Sequence, residues 1–437
     1  MTPRQRLTVQ PHDDYALIGT QACGPLREED KMKVYVLGAS VAALCATGAV
    51  AGGIERNSNN YGLLYEDGNQ IELTFAHISP TVKGKYVGGG STGDMAGDYT
   101  STGVAYKTDI TDQLSFGLYF NDGYGADSTY SEGFYTGLNA EWDSTQTAVI
   151  LKYQATDRIS VYGGVRYVES SADITIPDQM IRKPYEDGAA QATAGAAAAE
   201  AAYGPADPRT IGAQQLAAQL NAVATSTDSL EFTAQAEKDG RFGYVLGAAY
   251  EIPDIALRVG LTWQSAITHE FDTTENSFGF GVIGVESTTE IEMPQSVALD
   301  FQTGVAKDTL VFGQVKWVEW SKWEVRTQEY ETVTGDAITG IDDDVITWQL
   351  GVGRRFSDEF SGFARVTYEK SNGGIASRLA PTDGRISLGV GGTYTDGAMK
   401  LRGGIEFAKL GDAEDGSGTK FESNTLMGIG AAMTFAF

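Results

Sequence analysis

Ile255-Ala256-Leu257-Arg258-Val259-Gly260-Leu261-Thr262-Trp263-Gln264-Ser265-Ala266-Ile267-Thr268 is the stretch that decides the fold. One parity carries Ile255, Leu257, Val259, Leu261, Trp263, Ser265 and Ile267. The other carries Ala256, Arg258, Gly260, Thr262, Gln264, Ala266 and Thr268. Side chains on a strand point alternately to its two faces, so this segment is an apolar wall backed by a polar one. It exceeds the roughly 9–11 residues that a tilted strand needs to cross a bilayer.

The pattern recurs. Met399, Leu401, Ile405 and Phe407 oppose Lys400, Arg402, Gly404 and Glu406, while Ile386, Leu388, Val390 and Tyr394 oppose Arg385, Ser387, Gly389 and Thr393. Phe360, Ala364, Val366 and Tyr368 share a parity, with Phe363 breaking the polar side, and Met427 to Phe437 alternates to the last residue. A soluble sandwich also alternates, but its strands average only about 5–6 residues. The connections add a second regularity. Very short turns stand at Thr111-Asp112, Thr156-Asp157, Pro253-Asp254, Ala306-Lys307, Ser357-Asp358 and Asp396-Gly397. Between them fall long polar stretches at 83–100, 122–143, 177–240, 272–288, 334–343, 371–382 and 411–421. Short and long connections alternate in this way in outer-membrane barrels. The reading is a closed antiparallel transmembrane β-barrel of about fourteen strands, whose closure satisfies every backbone group inside lipid. The expected location is the bacterial outer membrane, with its lipid and lipopolysaccharide as surroundings.

The chain begins with a polar stretch, then Met32-Lys33 and an apolar run from Val34 to Val50 that ends in Ala49-Val50-Ala51, a small-residue cleavage pattern. Residues 1–51 are therefore read as an extension and signal peptide cleaved after Ala51, residues 52–69 as an N-terminal plug, and 70–437 as the barrel. Both cysteines, Cys23 and Cys45, precede the cleavage point. The removed part carries equal numbers of acids and bases, so the remaining chain keeps the net charge of −26, which disfavours nucleic acid as a partner. No cofactor and no metal site is expected: the acidic runs Asp342-Asp343-Asp344 and Asp412-Ala413-Glu414-Asp415 lack EF-hand spacing and read as solvated loops. The stretch 177–240 holds an alanine-rich tract, Ala189–Ala202, and then Leu216, Leu220 and Val223 at helical spacing. Short helices over the outer mouth are expected there, as filler or as a ligand-collecting surface.

In order along the chain stand Gly103-Val104-Ala105-Tyr106-Lys107, Leu114-Ser115-Phe116-Gly117-Leu118, Leu261-Thr262-Trp263-Gln264-Ser265 with His269, and Met293-Pro294-Gln295-Ser296-Val297. Trp317-Val318-Glu319-Trp320-Ser321, Leu379-Ala380-Pro381 with Arg385, and a closing Phe437 follow. This order resembles the long-chain fatty-acid transporter family, which includes aromatic-hydrocarbon uptake channels, and the resemblance covers nearly all of the chain after the signal. It implies a fourteen-stranded barrel blocked by a small plug, passive uptake of hydrophobic molecules at the outer face, and exit through a kinked third strand, here Gln113–Asn121. The plug is short, and Asn59-Asn60-Tyr61-Gly62 stands where the family carries Asn-Pro-Ala. Phe120, Asn121 and Gly123 mark the expected opening, Tyr61 and Leu63 the plug's side of the path, and Phe437 the signal offered to the barrel-assembly machinery.

Parity places Lys107, Lys152, Arg158, Arg166, Arg258, Arg365, Lys400 and Arg402 inward. Two readings stand. Such a basic lumen holds a fatty-acid carboxylate, with Arg258 as the candidate, or it pairs with inward Asp109, Asp300, Glu369 and Glu406 to fill the barrel. Trp320 points inward as a candidate for the path, while Trp317 and Trp323 suit interfacial girdles. Fatty acids or hydrocarbons are thus the expected substrates; a general porin, an adhesin and a lipid-modifying enzyme are the alternatives. An enzyme is disfavoured because His269 has no nucleophile within reach: Ser265 on its strand stands roughly 13 Å away.

Overall fold

The structure is a computed structural model in which residues 53–56 and 61–437 are described; the cleavage site at Ala51 lies outside them. The wall is one sheet of sixteen strand segments. Two strands are each broken in two, so the barrel has fourteen strands. In chain order they are β1 (Gln70–Thr81), β2 (Tyr99–Thr111), β3 (Leu114–Thr129), β4 (Asn139–Gln154), β5 (Ile159–Ile176) and β6 (Phe232–Ile252). Then come β7 (Leu257–Gln264, resuming as Ile267–Ser277), β8 (Val282–Met293, resuming as Ser296–Ala306), β9 (Thr309–Val318) and β10 (Val345–Arg355). The wall ends with β11 (Phe360–Glu369), β12 (Arg385–Asp396), β13 (Met399–Leu410) and β14 (Thr425–Ala436). β1 closes on β14 over the register Gln70↔Ala436 to Thr81↔Thr425, so no edge strand is left in lipid.

The alternation works as read on most strands. On β13, Leu401, Ile405 and Phe407 are exposed outward, while Arg402 and Glu406 are buried inward. At β7 the parity reverses. The strand breaks at Ser265-Ala266 with its register to both neighbours unchanged, and beyond the break Ile267, His269 and Phe271 face the lumen, so Ile267 is buried rather than lipid-facing as its run suggested. β8 breaks beside it at Pro294, which has no N–H for the ladder.

The strands outrun the bilayer. β6 alone has 21 residues, roughly 70 Å of chain at a strand's rise. Much of what reads as polar loop is therefore wall standing above the membrane. The stretch 272–288 is mostly β7 and β8, joined by a short turn at Phe278–Phe280, and β6 starts at Phe232, inside the stretch read as loop to Gly240. Threonine-rich segments without apolar alternation lack a lipid face because none is needed there.

The β5–β6 connection carries α1 (Asp178–Tyr203) and α2 (Pro208–Ala224), longer than the short helices expected. Ala189, Ala196 and Ala217 are buried where the two helices meet. Arg182 binds Asp178 and donates to the carbonyls of Val223, Ala224, Ser226 and Asp228, placing a cation on the open C-terminal end of α2. A third helix, α3 (Gln328–Thr334), receives a hydrogen bond from Tyr185 of α1 at the carbonyl of Val333. No helix among the described residues is long and apolar enough to cross a membrane.

Candidate functional site

The lumen changes character along its axis. Towards the short turns it is charged and filled. Arg365 pairs with Glu406 at 2.6 Å and Lys107 with Asp109 at 2.6 Å, and Arg402 pairs with Glu72, while the pair of Arg385 with Glu369 at 2.8 Å stands at the other end, beside the long loop that joins β11 to β12. Residues 61–69 sit in this part. Tyr61, Leu63 and Leu64 are buried against Tyr119, Ile150 and Tyr162 of the wall. Lysines grip the same segment: Lys152 donates to the carbonyl of Leu64 at 2.9 Å, Lys107 to that of Gly68 at 2.8 Å, and Lys400 binds Glu66 at 2.6 Å. The inward cations thus pair and hold chain. Arg258, the candidate for a carboxylate, stands over the Tyr65 ring at 4.3 Å and donates to Gln302 at 3.2 Å. Arg158 departs from its expected position and is exposed beside the β4–β5 turn.

Towards the long loops, on the side walled by β3 to β6, the lumen is apolar. A cavity of about 80 Å³ is walled by Ala126 of β3, Ala140 and Trp142 of β4, Ala172 of β5, and Ala234 and Ala236 of β6. Ile54, Ile291 and Trp323 add to its apolar lining. Small side chains at successive inward positions are what leave the space. Trp323 is buried on this cavity rather than in a lipid girdle, because β9 ends at Val318 and the single turn Trp320–Lys322 swings the chain inward. Trp320 is fully buried, as its parity suggested, with ring centroids 6.4 Å from both Tyr124 and Trp323.

Above lies a second cavity of about 360 Å³, built by the loops after β9, β11 and β13 and sharing Gly340, Ile341 and Ala380 with the first. Its rim carries Asp342, Asp343, Asp383, Asp412, Glu414 and Glu422 against Lys370 and Lys420. Among the described residues no three carboxylates or histidines are grouped as a metal ion needs. Asp344 is already engaged, accepting from Trp317 Nε1 at 3.0 Å and Ser321 Oγ at 2.6 Å, which holds its carboxyl below the usual range despite burial.

The third strand is kinked. Its pairing with β2 stops at Gly103↔Asn121, and the next contact on that side is a bridge at Ala96↔Ser128, while on the β4 side one extra residue bulges between Asp122 and Gly125. The bared backbone is taken from inside by residues 54–56. The N–H of Arg56 donates to the carbonyl of Gly123 at 3.1 Å, and that of Gly125 to the carbonyl of Ile54 at 2.8 Å. Glu55 is tied across the lumen to Lys316 at 2.7 Å, and Arg56 lies over the Tyr99 ring at 4.5 Å. Gly53 has φ of 139° and passes so close to Trp320 that a Cβ would stand 2.1 Å from the indole. Phe120 lies on the lipid side of this gap, exposed; Asn121 faces inward and accepts from Gln146 at 3.4 Å.

One group was missed. His269 Nδ1 is 2.9 Å from Asp239, and its Nε2 is 3.3 Å from Ser170 Oγ. The histidine therefore does have a hydroxyl and an acid beside it, from β5 and β6, because the reversed parity of β7 turns it inward. Neither Ser170 nor His269 lines either cavity, both are buried, and the His269 ring stacks on Phe271 at 5.1 Å. The arrangement ties three strands together without giving a substrate access to the hydroxyl.

Comparison with known proteins agrees with this architecture. A FadL homologue from Pseudomonas aeruginosa superposes with a TM-score of 0.64 over 90% of this chain and 96% of its own, at 13% identity. The toluene transporter TodX of P. putida gives 0.59 over 87% and 93% at 15% identity. The CymD monoaromatic hydrocarbon channel gives 0.54 over 92% and 97%, also at 15%. No curated protein sequence matches the chain significantly. Residues 38–404 match the family model described as outer membrane protein transport protein (OMPP1/FadL/TodX), and the chain accordingly belongs to that family of outer-membrane channels for hydrophobic compounds.

Proposed function

We propose that this channel admits small hydrophobic molecules through the acid-rimmed outer cavity, holds them in the alanine- and tryptophan-walled inner cavity, and releases them sideways into the membrane between β2 and β3. The observation that carries the reading is the contact between that inner cavity and the kink, through Ala126 and Ser128 of β3 and Ile54 of the N-terminal segment. An apolar guest gains about 25 cal/mol per Å² on leaving water, and keeps that gain only on a path that stays dry. Residues 52–69 act as the plug on this reading, and Phe437, stacked at 6.3 Å on Tyr106, as the assembly signal.

The size of the inner cavity favours one of the two expected substrate classes. A cavity of about 80 Å³ has room for roughly five to eight water-sized groups, a single ring rather than a long acyl chain. The test is uptake in cells lacking their own hydrophobic channels, with labelled toluene, oleate and a small sugar. Toluene uptake without sugar leakage is expected. Preferred uptake of oleate would return the substrate class to fatty acids, and sugar leakage alone would mean a general porin.

A further inference from the structure

Four buried polar atoms in the wall of the inner cavity's residues have no hydrogen-bond partner in the protein: the indole nitrogens of Trp142 and Trp323, and the hydroxyls of Thr289 and Thr327. They come from four places in the chain, namely β4, the turn after β9, β8 and the residue before α3. Other indoles in the same barrel are satisfied: Trp263 Nε1 donates to Gln295 at 3.1 Å and Trp317 Nε1 to Asp344 at 3.0 Å. An indole N–H only donates, and a buried donor left unmade is costly, so a cluster of them in one cavity wall calls for an acceptor from outside the protein.

We propose that the inner cavity selects an uncharged hydrophobic molecule carrying one hydrogen-bond acceptor, a ketone, aldehyde or ester carbonyl on a single ring or short chain, and that these donors receive the carbonyl oxygen. The inference rests on the channel reading above and names its substrate class. Three features carry it. The body of the cavity is apolar, with Ala126, Ala172, Ala234, Ala236 and Ile291 on its walls. The two indoles only donate and the two hydroxyls can donate, so a hydrocarbon answers none of them while a carbonyl oxygen, with two lone pairs, can answer up to two. The lining has no Lys, Arg or His, and its ionisable members are Glu141 and Asp173, so a carboxylate would enter without a counter-ion. The acidic rim above repels the same anion before it arrives.

The experiment uses the folded barrel in lipid nanodiscs, with binding read by titration calorimetry against empty discs. The ligands are acetophenone, its near-isostere isopropylbenzene, and benzoate. Acetophenone is expected to bind at least as tightly as isopropylbenzene, and benzoate not to bind. The Thr289→Val/Thr327→Val pair keeps side-chain volume and removes two hydroxyls; it is expected to weaken acetophenone about tenfold and to leave isopropylbenzene within about twofold. Trp323→Phe, which keeps an aromatic ring, should shift the two ligands in the same sense. Retained isopropylbenzene binding reports an intact cavity in each variant. Tenfold tighter binding of isopropylbenzene than of acetophenone to the unaltered protein would overturn the proposal, as would equal losses for both ligands in the variants. The channel would survive either result. Binding of neither ligand would take down the holding role proposed above for the inner cavity.

Discussion

Removing the amino group of Lys316 should unlatch the N-terminal segment from the kink in β3. Lys316 and Glu55 are both largely shielded from water, and the lysine donates to both carboxylate oxygens, at 2.7 and 2.8 Å. Residues 53–56 are otherwise held by two backbone hydrogen bonds at Gly123 and Gly125, worth about 0.5–1.5 kcal/mol each, and by the contact of Arg56 with Tyr99, worth about 0.5–2 kcal/mol. Parting a buried pair by deleting one member costs about 3–5 kcal/mol, because the survivor is left uncompensated. In Lys316→Met that cost falls on the latched state alone, since a released Glu55 is hydrated. The latched-to-released ratio should fall by a factor on the order of 10²–10³. Single-ring hydrocarbon flux into liposomes reads this directly, with an increase of at least about tenfold expected. The double variant Lys316→Gln/Glu55→Gln carries no unpaired charge and should return most of the way to the original flux, because replacing both partners of a buried pair is often nearly neutral. Unchanged flux in Lys316→Met would refute the latch. A double variant as leaky as the single one would mean that the lysine merely fills space.

Three further outcomes are expected. Ala234→Phe should fill the inner cavity and cut uptake of single-ring molecules at least about tenfold, while overpacking costs the barrel only about 1–3 kcal/mol, read from its heat-induced unfolding. Gly53→Ala places a methyl 2.1 Å from the Trp320 indole at a φ of 139° that disfavours any side chain, and should raise flux as Lys316→Met does while leaving assembly into the outer membrane unchanged. The Arg182 hydrogen bonds hold the Asp178 carboxyl below its ordinary range, so its contribution to the helical hairpin is present at neutral pH and is lost as pH falls through that depressed value. Protease cleavage within 178–228 should accelerate on acidification below the ordinary carboxylate range, and Arg182→Ala should show the faster cleavage already at neutral pH.

The barrel was legible because lipid imposes a rule on every second residue. Leu257, Val259 and Leu261 had to be apolar, and Arg258 had to be shielded, whatever the chain did elsewhere. The rule lapses above the membrane, and the errors gather there. Residues 272–288 looked like loop because a wall with water outside needs no apolar stripe, and Ile267 looked lipid-facing because nothing in its sequence marks the break at Ser265-Ala266 as a reversal of parity. That same break hid the Ser170–His269–Asp239 contact. The inner cavity was hidden for another reason: it is made of absence. Ala126, Ala172, Ala234 and Ala236 are unremarkable in sequence, and only the register that sets four neighbouring strands side by side shows that their missing volume adds up. The charged half of the lumen could be foreseen as a set of cations and acids, but which acid answers which base depended on strand order.

That division of the lumen also bears on the direction of release. A single ring buries about 150–250 Å² of surface, so its whole transfer from water is worth about 4–6 kcal/mol. Straight down, the guest would meet Arg402–Glu72, Arg365–Glu406 and Lys107–Asp109, and the lysine-held segment 61–69. Parting one such pair costs about 3–5 kcal/mol, which consumes the gain from the entire guest, and several pairs lie in the way. Sideways, the obstacle is residues 54–56: two backbone hydrogen bonds, one ion pair and the contact of Arg56 with Tyr99. Beyond it lies hydrocarbon, where the guest keeps the free energy it gained on entering. On the proposed route, a charged lumen therefore serves a hydrophobic channel well: it makes the axial path expensive and leaves the gap in the wall as the lower barrier.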